Sequence, residues 1–257
     1  MNQLFSFSRF GRLLRKHTAE HVRSYLMGTA VLAGGTVAVL GGLTYISDRP
    51  LQPNVQMILF TYGLLAAGAM FTASVFAAMG DQRQAAPALL LPASHLEKYL
   101  VVWLYSLPVF LVVYTCVFLL IDALTLQLAS STEPRVLLDL RENQAISVRA
   151  LLTYAALHAA ALWGAIYFRR RHVIKVAFAV FGLVGVLALV NFQVLKRILV
   201  HDIQPALPFS DVVLATGGQL FELALPPAQQ PWLILLPLLL AVLLWAGAYA
   251  RLTEKQL

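Results

Sequence analysis

Charge is scarce in this chain. Asp, Glu, Lys and Arg make up 12% of its 257 residues, against about 25% in a typical soluble domain. So few charges cannot coat a water-facing surface, which excludes a conventional soluble fold. Cysteine is nearly absent as well. Cys116 stands alone, so no intrachain disulfide can form, and within its apolar run it reads as a small packing residue.

Catalytic signatures are missing too. The sequence has no G-x-S-x-G elbow, no H-E-x-x-H pair and no G-x-x-x-x-G-K-[ST] loop, which removes the common serine, zinc and phosphate-binding frameworks. His17 and His21 are four apart, but their basic segment lacks the carboxylates to complete a metal site. No acid falls in the middle of an apolar run, where ion-coupled carriers need one. Asp122 and Asn191 are the polar residues nearest the run ends. His158 lies inside the fourth run with no acid at its depth, and it reads as a hydrogen-bonded structural histidine.

What the chain has in quantity is apolar length. Hydrophobic residues make up 60% of it. Six runs near 25–46, 57–79, 100–121, 150–168, 173–194 and 231–250 each hold 19 to 23 residues. A helix crossing a ~30 Å hydrocarbon core needs about 20 residues. The expected fold is therefore all-α and polytopic, a single transmembrane domain over 1–257, because lipid leaves backbone groups no other partners. The stretches 122–149 and 195–230 are too short for independent cores. The first run is too long for a cleavable signal, so it is expected to remain as an anchor.

Basic residues crowd alternate gaps. One set of gaps holds 13 Lys and Arg and the other 6, while eight of the twelve acids lean the opposite way. The positive-inside rule puts both termini in the cytoplasm. The net charge of +7 is spread over short loops rather than gathered on one face, which argues against a nucleic-acid partner. Arg169, Arg170, Arg171 and Lys175 crowd the short fourth gap, either as a topological signal alone or as a cytosolic contact.

Five further segments carry expectations. In residues 4–24, Phe7, Phe10, Leu13 and Leu14 recur at helical spacing among Arg9, Arg12, Arg15 and Lys16. That pattern predicts a basic interfacial helix with its apolar face among acyl chains. The first span carries a stripe of Gly28, Gly34, Gly35, Gly41 and Gly42, and the second a patch of Gly63, Ala66, Ala67 and Gly68. Both suit close helix approach, within the chain or between subunits.

After Gly80, a C-cap glycine by position, comes Asp81 to Leu100 with Arg83, Leu89, Leu90, Leu91 and Lys98. Ser94 and Glu97 have capping-box spacing, which predicts a helix starting there and running into the third span. Three exposed leucines need cover from lipid or a partner. Between 195 and 230, prolines bracket DVVLATGGQLFELA, which is expected to form a helical re-entrant or interfacial hairpin turning at Gly217 and Gly218.

These pieces resemble the permease subunit of a type-2 ABC exporter. The run from Leu89 to Leu104, LLLPASHLEKYLVVWL, is similar to the L-P-x-S-x-x-E-K-x-x-x-x-W-L loop of small bacterial permeases in that group, and the topology resembles the family along the whole chain. The segment between spans three and four is longer than the family's usual short link. The resemblance implies a bacterial inner-membrane protein in lipid that pairs with a second permease, either a copy or a homologue. It also implies separate cytosolic ABC ATPase subunits that bind ATP and magnesium, so that this chain is no enzyme and binds no cofactor. On that view Asp81 to Lys98 is the coupling element, Phe7 to Lys16 lies on a connecting helix, and Arg169 to Lys175 is a second cytosolic contact. A membrane assembly factor or sensor using the same loop, or an ion-coupled carrier, are the alternative functions.

Overall fold

The computed structural model describes residues 5–80, 94–128, 134–142, 144–167, 172–198, 202–203, 212–216, 219–223 and 230–254. The described chain is mostly helical. In order it forms α1 (Phe7–Ser47), α2 (Pro53–Gly80), α3 (His95–Leu104), a π-helical turn (Tyr105–Val109), α4 (Phe110–Leu128), α5 (Gln144–Tyr167), α6 (His172–Ile198), three short strands and α7 (Gln230–Glu254).

Among the described residues, five helical stretches are long and apolar enough to cross a membrane: Phe7–Ser47, Pro53–Thr72, His95–Leu128, Ile146–Tyr167 and Leu235–Glu254. This is the architecture of a multi-pass membrane protein. The fifth apolar run of the sequence coincides with α6, a helix of 27 residues.

α5 is the central helix. It packs between α2 and α7 and also touches α6, and half of its apolar window is buried, against 6% of that of α1. Small residues make this packing close. Ala159, Ala161, Ala165, Ala241 and Ala248 are all buried, and a Cβ on Gly247 would sit 3.7 Å from the Trp163 indole. Without a hydrophobic drive in lipid, such close contact is the main source of helix association.

Two apolar clusters result. One joins Leu40 of α1, Met57, Phe60 and Leu64 of α2, Phe110, Tyr114, Phe118 and Ile121 of α4, Leu138 and Tyr154. The other joins Tyr99 and Val102 of α3, Leu162 and Ile166 of α5, and Ala248 and Leu252 of α7.

The two glycine patches behave differently. Gly68 faces the buried Tyr154 ring and Phe110, and Gly63 faces the Tyr114 hydroxyl, so the α2 patch serves packing within the chain. A Cβ at Gly28, Gly34, Gly35, Gly41 or Gly42 would meet nothing within 4 Å. The α1 stripe is open in the single chain.

Three expectations need correction. The interfacial helix and the first span are one element of 41 residues. No proline interrupts residues 7–47, so nothing ends the helix before Asp48, the C-cap, which takes a left-handed conformation at φ 50°. At 1.5 Å per residue such a helix is about 60 Å long, twice the hydrocarbon core.

The second correction concerns 122–149. This is no loop throughout, since α4 continues to Leu128 and α5 begins at Gln144. The helical alternation simply persists past the apolar run, and Asp122 is buried within α4. Third, the expected helical hairpin is a β-hairpin. β2 (Val212–Thr216) pairs antiparallel with β3 (Gln219–Leu223), and β1 (Asp202–Ile203) pairs with β2. Thr216 stands opposite Gln219; Gly217 and Gly218, the expected turn, lie outside the described residues. Val212, Val213 and Thr216 are β-branched, and the segment is shorter than a stable helix.

Candidate functional site

Two constellations of buried polar groups stand out, one at each end of the α3–π–α4 rod's first half. The first is built on Glu97. Ser94 caps α3: its side chain accepts the Glu97 N–H at 3.2 Å, and Glu97 Oε2 accepts the Ser94 N–H at 3.0 Å. The capping box read from the S-x-x-E spacing is therefore present, with both arms formed.

Its glutamate does more than cap. Glu97 is fully buried, and its other oxygen accepts the Ser6 N–H at 2.7 Å. The Arg9 guanidinium lies 3.3 Å from the same Oε1. One carboxylate thus satisfies the start of α3 and the start of α1, 91 positions apart in sequence. Charge-assisted bonds of this kind are about twice as strong as neutral ones.

The rest of the first turns of α1 is only partly covered. Arg12 and Arg15 are exposed, and Lys16 pairs with Glu20 at 3.6 Å. Phe10, Leu13 and Leu14 are half-buried, while Phe7 is 83% exposed and touches Phe5 edge-on. The stripe continues as His17, His21 and Tyr25. The two imidazoles stack with centroids 4.3 Å apart, His17 Nε2 bonds the Tyr25 hydroxyl at 2.6 Å, and Tyr25 stacks on Tyr105 at 5.2 Å. The apolar face expected among acyl chains is in part a protein contact. Continuing the i, i+4 spacing from Leu13 would have revealed this aromatic extension.

Asp81, Arg83, Leu89, Leu90, Leu91, Arg169, Arg170 and Arg171 lie outside the described residues. Lys98 is half-buried on α3 and Lys175 exposed on α6.

The second constellation surrounds His158. Pro108 lacks an N–H, so the helix cannot keep its ordinary ladder there. The chain answers with a π turn in which the Phe110 N–H reaches back to the Tyr105 carbonyl. A π turn shifts the register, and the Tyr154 hydroxyl donates to the Ser106 carbonyl at 2.8 Å. Trp245 Nε1 donates to His158 Nδ1 at 3.1 Å, and His158 Nε2 meets Ser106 Oγ at 2.8 Å.

An indole is a donor only, so Nδ1 must be the acceptor nitrogen and Nε2 must carry the proton. The Ser106 hydroxyl then donates to the Trp103 carbonyl at 3.2 Å. This polarity is opposite to that of a serine nucleophile, whose histidine accepts the hydroxyl proton at one nitrogen and donates to an acid from the other. The dyad is wired as a tie between α5, the π turn and α7. The sequence shows His158 but not its partners, since Ser106 and Trp245 stand 52 and 87 positions away.

Replacing His158 by leucine is expected to destabilise the protein by about 1–3 kcal/mol, because it orphans the half-buried Trp245 N–H. A thermal unfolding series in detergent checks this, with Trp245→Phe in the same background expected to recover part of the loss.

No family profile, curated protein or solved structure matches this chain.

Proposed function

We propose that this chain is the membrane-spanning permease subunit of an ATP-driven transporter, an exporter of the bacterial inner membrane. It crosses six times, with α6 as the fifth span and both termini in the cytoplasm. It works as a pair with a second permease and draws its energy from separate cytosolic ABC ATPases.

The observation that carries this reading is the Glu97 clamp. A coupling element must pass a push from a soluble engine to the helices without yielding. Residue 94, where the clamp begins, directly follows the leucine-bearing segment that would meet the engine. Glu97 fixes that point to the start of α1 through Ser6 and Arg9, and the same rod continues as α3, the π turn and α4. A push on the segment would therefore move α1 and the α3–α4 rod together.

The test is co-purification. With an ABC ATPase encoded beside it, the chain is expected to form a complex whose ATPase rate falls at least about tenfold when Leu89, Leu90 and Leu91 are changed to serine. Capture of the ATPase undiminished by that triple change would sink the coupling role. Capture of a cytosolic protein without nucleotide hydrolysis would favour an assembly factor or sensor instead.

A further inference from the structure

The far end of α4 holds two buried acceptors with no donor between them. Asp122 and Gln56 are both 0% exposed. Gln56 Nε2 donates to the Leu51 carbonyl at 2.8 Å and to the Val136 carbonyl at 3.0 Å. Two carbonyls thus fix the amide orientation, because a flipped amide would set oxygen against oxygen. Its Oε1 is buried and has no partner. Asp122 Oδ2 accepts the Leu138 N–H at 3.4 Å, while Oδ1 is buried and without a partner.

The helix packing sets the two groups at similar levels. α2 and α4 pack side by side, with Phe60 against both Tyr114 and Phe118 at 5.4 and 5.2 Å and the Tyr114 hydroxyl bonded to the Phe60 carbonyl. The apolar cluster also holds Met57 next to Gln56 and Ile121 next to Asp122. Counting one turn along each antiparallel helix from Phe60 brings Gln56 within about two residues' rise, ~3 Å, of the level of Asp122. Helical side chains lean toward their own N-terminus, so Gln56 leans toward Asp122 and Asp122 toward Gln56. Both also grip the connection 134–142, at carbonyl 136 and amide 138.

A carboxylate set beside an amide oxygen inside an apolar cluster repels it, and an isolated buried charge is costly enough that such a group neutralises instead. We propose that Asp122 holds a proton on Oδ1 and donates it to Gln56 Oε1, forming a buried acid–amide pair that pins the connection 134–142 to the ends of α2 and α4 and opens when the proton leaves. Opening moves that proton from Oδ1 to water and leaves two acceptors facing each other.

α2 contributes no charged residue here. Among the described residues, the charged groups on the neighbouring elements are Asp48 and Arg49 at the end of α1, Arg135, Asp139, Arg141 and Glu142 in the connection, and Arg149 on α5, all exposed. Asp122 Oδ1 and Gln56 Oε1, by contrast, are buried. The proposal stands apart from the transport reading, since it concerns a tie any function could use.

The test uses the full chain in lipid vesicles with Cys116→Ser and a nitroxide label on Leu137→Cys, a half-exposed position. The label is expected to be immobilised at neutral pH and to gain a mobile component as the pH is raised. In infrared difference spectra over that range the carbonyl band of a protonated acid should disappear. Asp122→Asn keeps a neutral donor to Gln56, so its label should stay immobilised throughout and its spectra should lack the acid band. Asp122→Ala should be mobile throughout. A wild-type label without pH response, or an Asp122→Asn variant that either titrates like wild type or is mobile throughout, would overturn the proposal. So would a label that moves when sodium chloride is exchanged for choline chloride at fixed pH, since the bridge would then be a cation.

Discussion

Glu97→Ala is expected to lower stability by about 2–4 kcal/mol and to expose the first turns of α1. Three losses combine. The capping box goes, at about 1 kcal/mol. The Ser6 N–H loses its acceptor, at about 1–3 kcal/mol when such a group is left buried. Arg9 loses its carboxylate, but at 29% exposure water recovers much of that charge, so its share is discounted.

Trypsin reads the outcome directly. Cleavage at Arg9, Arg12, Arg15 and Lys16 should accelerate about tenfold or more, matching the loss of roughly 1.4 kcal/mol or more from the local opening free energy. Glu97→Gln should fall between, because an amide can still accept from Ser6 but offers its second partner a donor. Unchanged cleavage with a lowered melting point would mean that Glu97 caps α3 and holds nothing else.

Gly68→Val should be the most damaging single glycine change in the described chain. The added atoms run into the Tyr154 ring and Phe110. Tyr154 is fully buried and tethered by its hydroxyl to the Ser106 carbonyl, so it cannot swing aside without breaking a buried hydrogen bond. Overpacking costs about 1–3 kcal/mol, and the lost bond adds about 1 kcal/mol more. The folded yield on size exclusion should collapse.

Tyr154→Leu in the same chain should restore part of the yield by making room, with a coupling of about 1 kcal/mol or more between the two sites. Gly34→Val, on the open stripe of α1, should leave the yield within about twofold of wild type. Equal tolerance at Gly68 and Gly34 would refute the packing described for α2.

Much of this fold is legible from spacing alone. The apolar runs coincide with helices because a chain in lipid has few other ways to pair its backbone. The Ser94–Glu97 box forms because its partners are three residues apart and need nothing distant. The segment 212–223 doubles back as expected, yet its arms are strands. A 14-residue segment carries too few turns for helical periodicity to decide, and β-branched valines tip it. The boundary between an interfacial helix and a span was drawn where composition changes at residue 25, but composition does not end a helix; a cap or a proline does.

The polar sites were legible only in part. His158 was visible as a lone histidine in an apolar run, and Glu97 as half of a cap. Nothing in the sequence joins Glu97 to Ser6, His158 to Trp245, or Asp122 and Gln56 to one connection. Periodicity fixes which residues share a face of a helix. It does not fix the depth or rotation at which that face meets its neighbour, and those two quantities decide which buried donor finds which acceptor. The sequence by itself determined a helical membrane chain and its local caps. The tertiary structure alone decided that one carboxylate clamps two helix starts, that His158 is held between Ser106 and Trp245, and that Gln56 and Asp122 both bond the connection at residues 136 and 138.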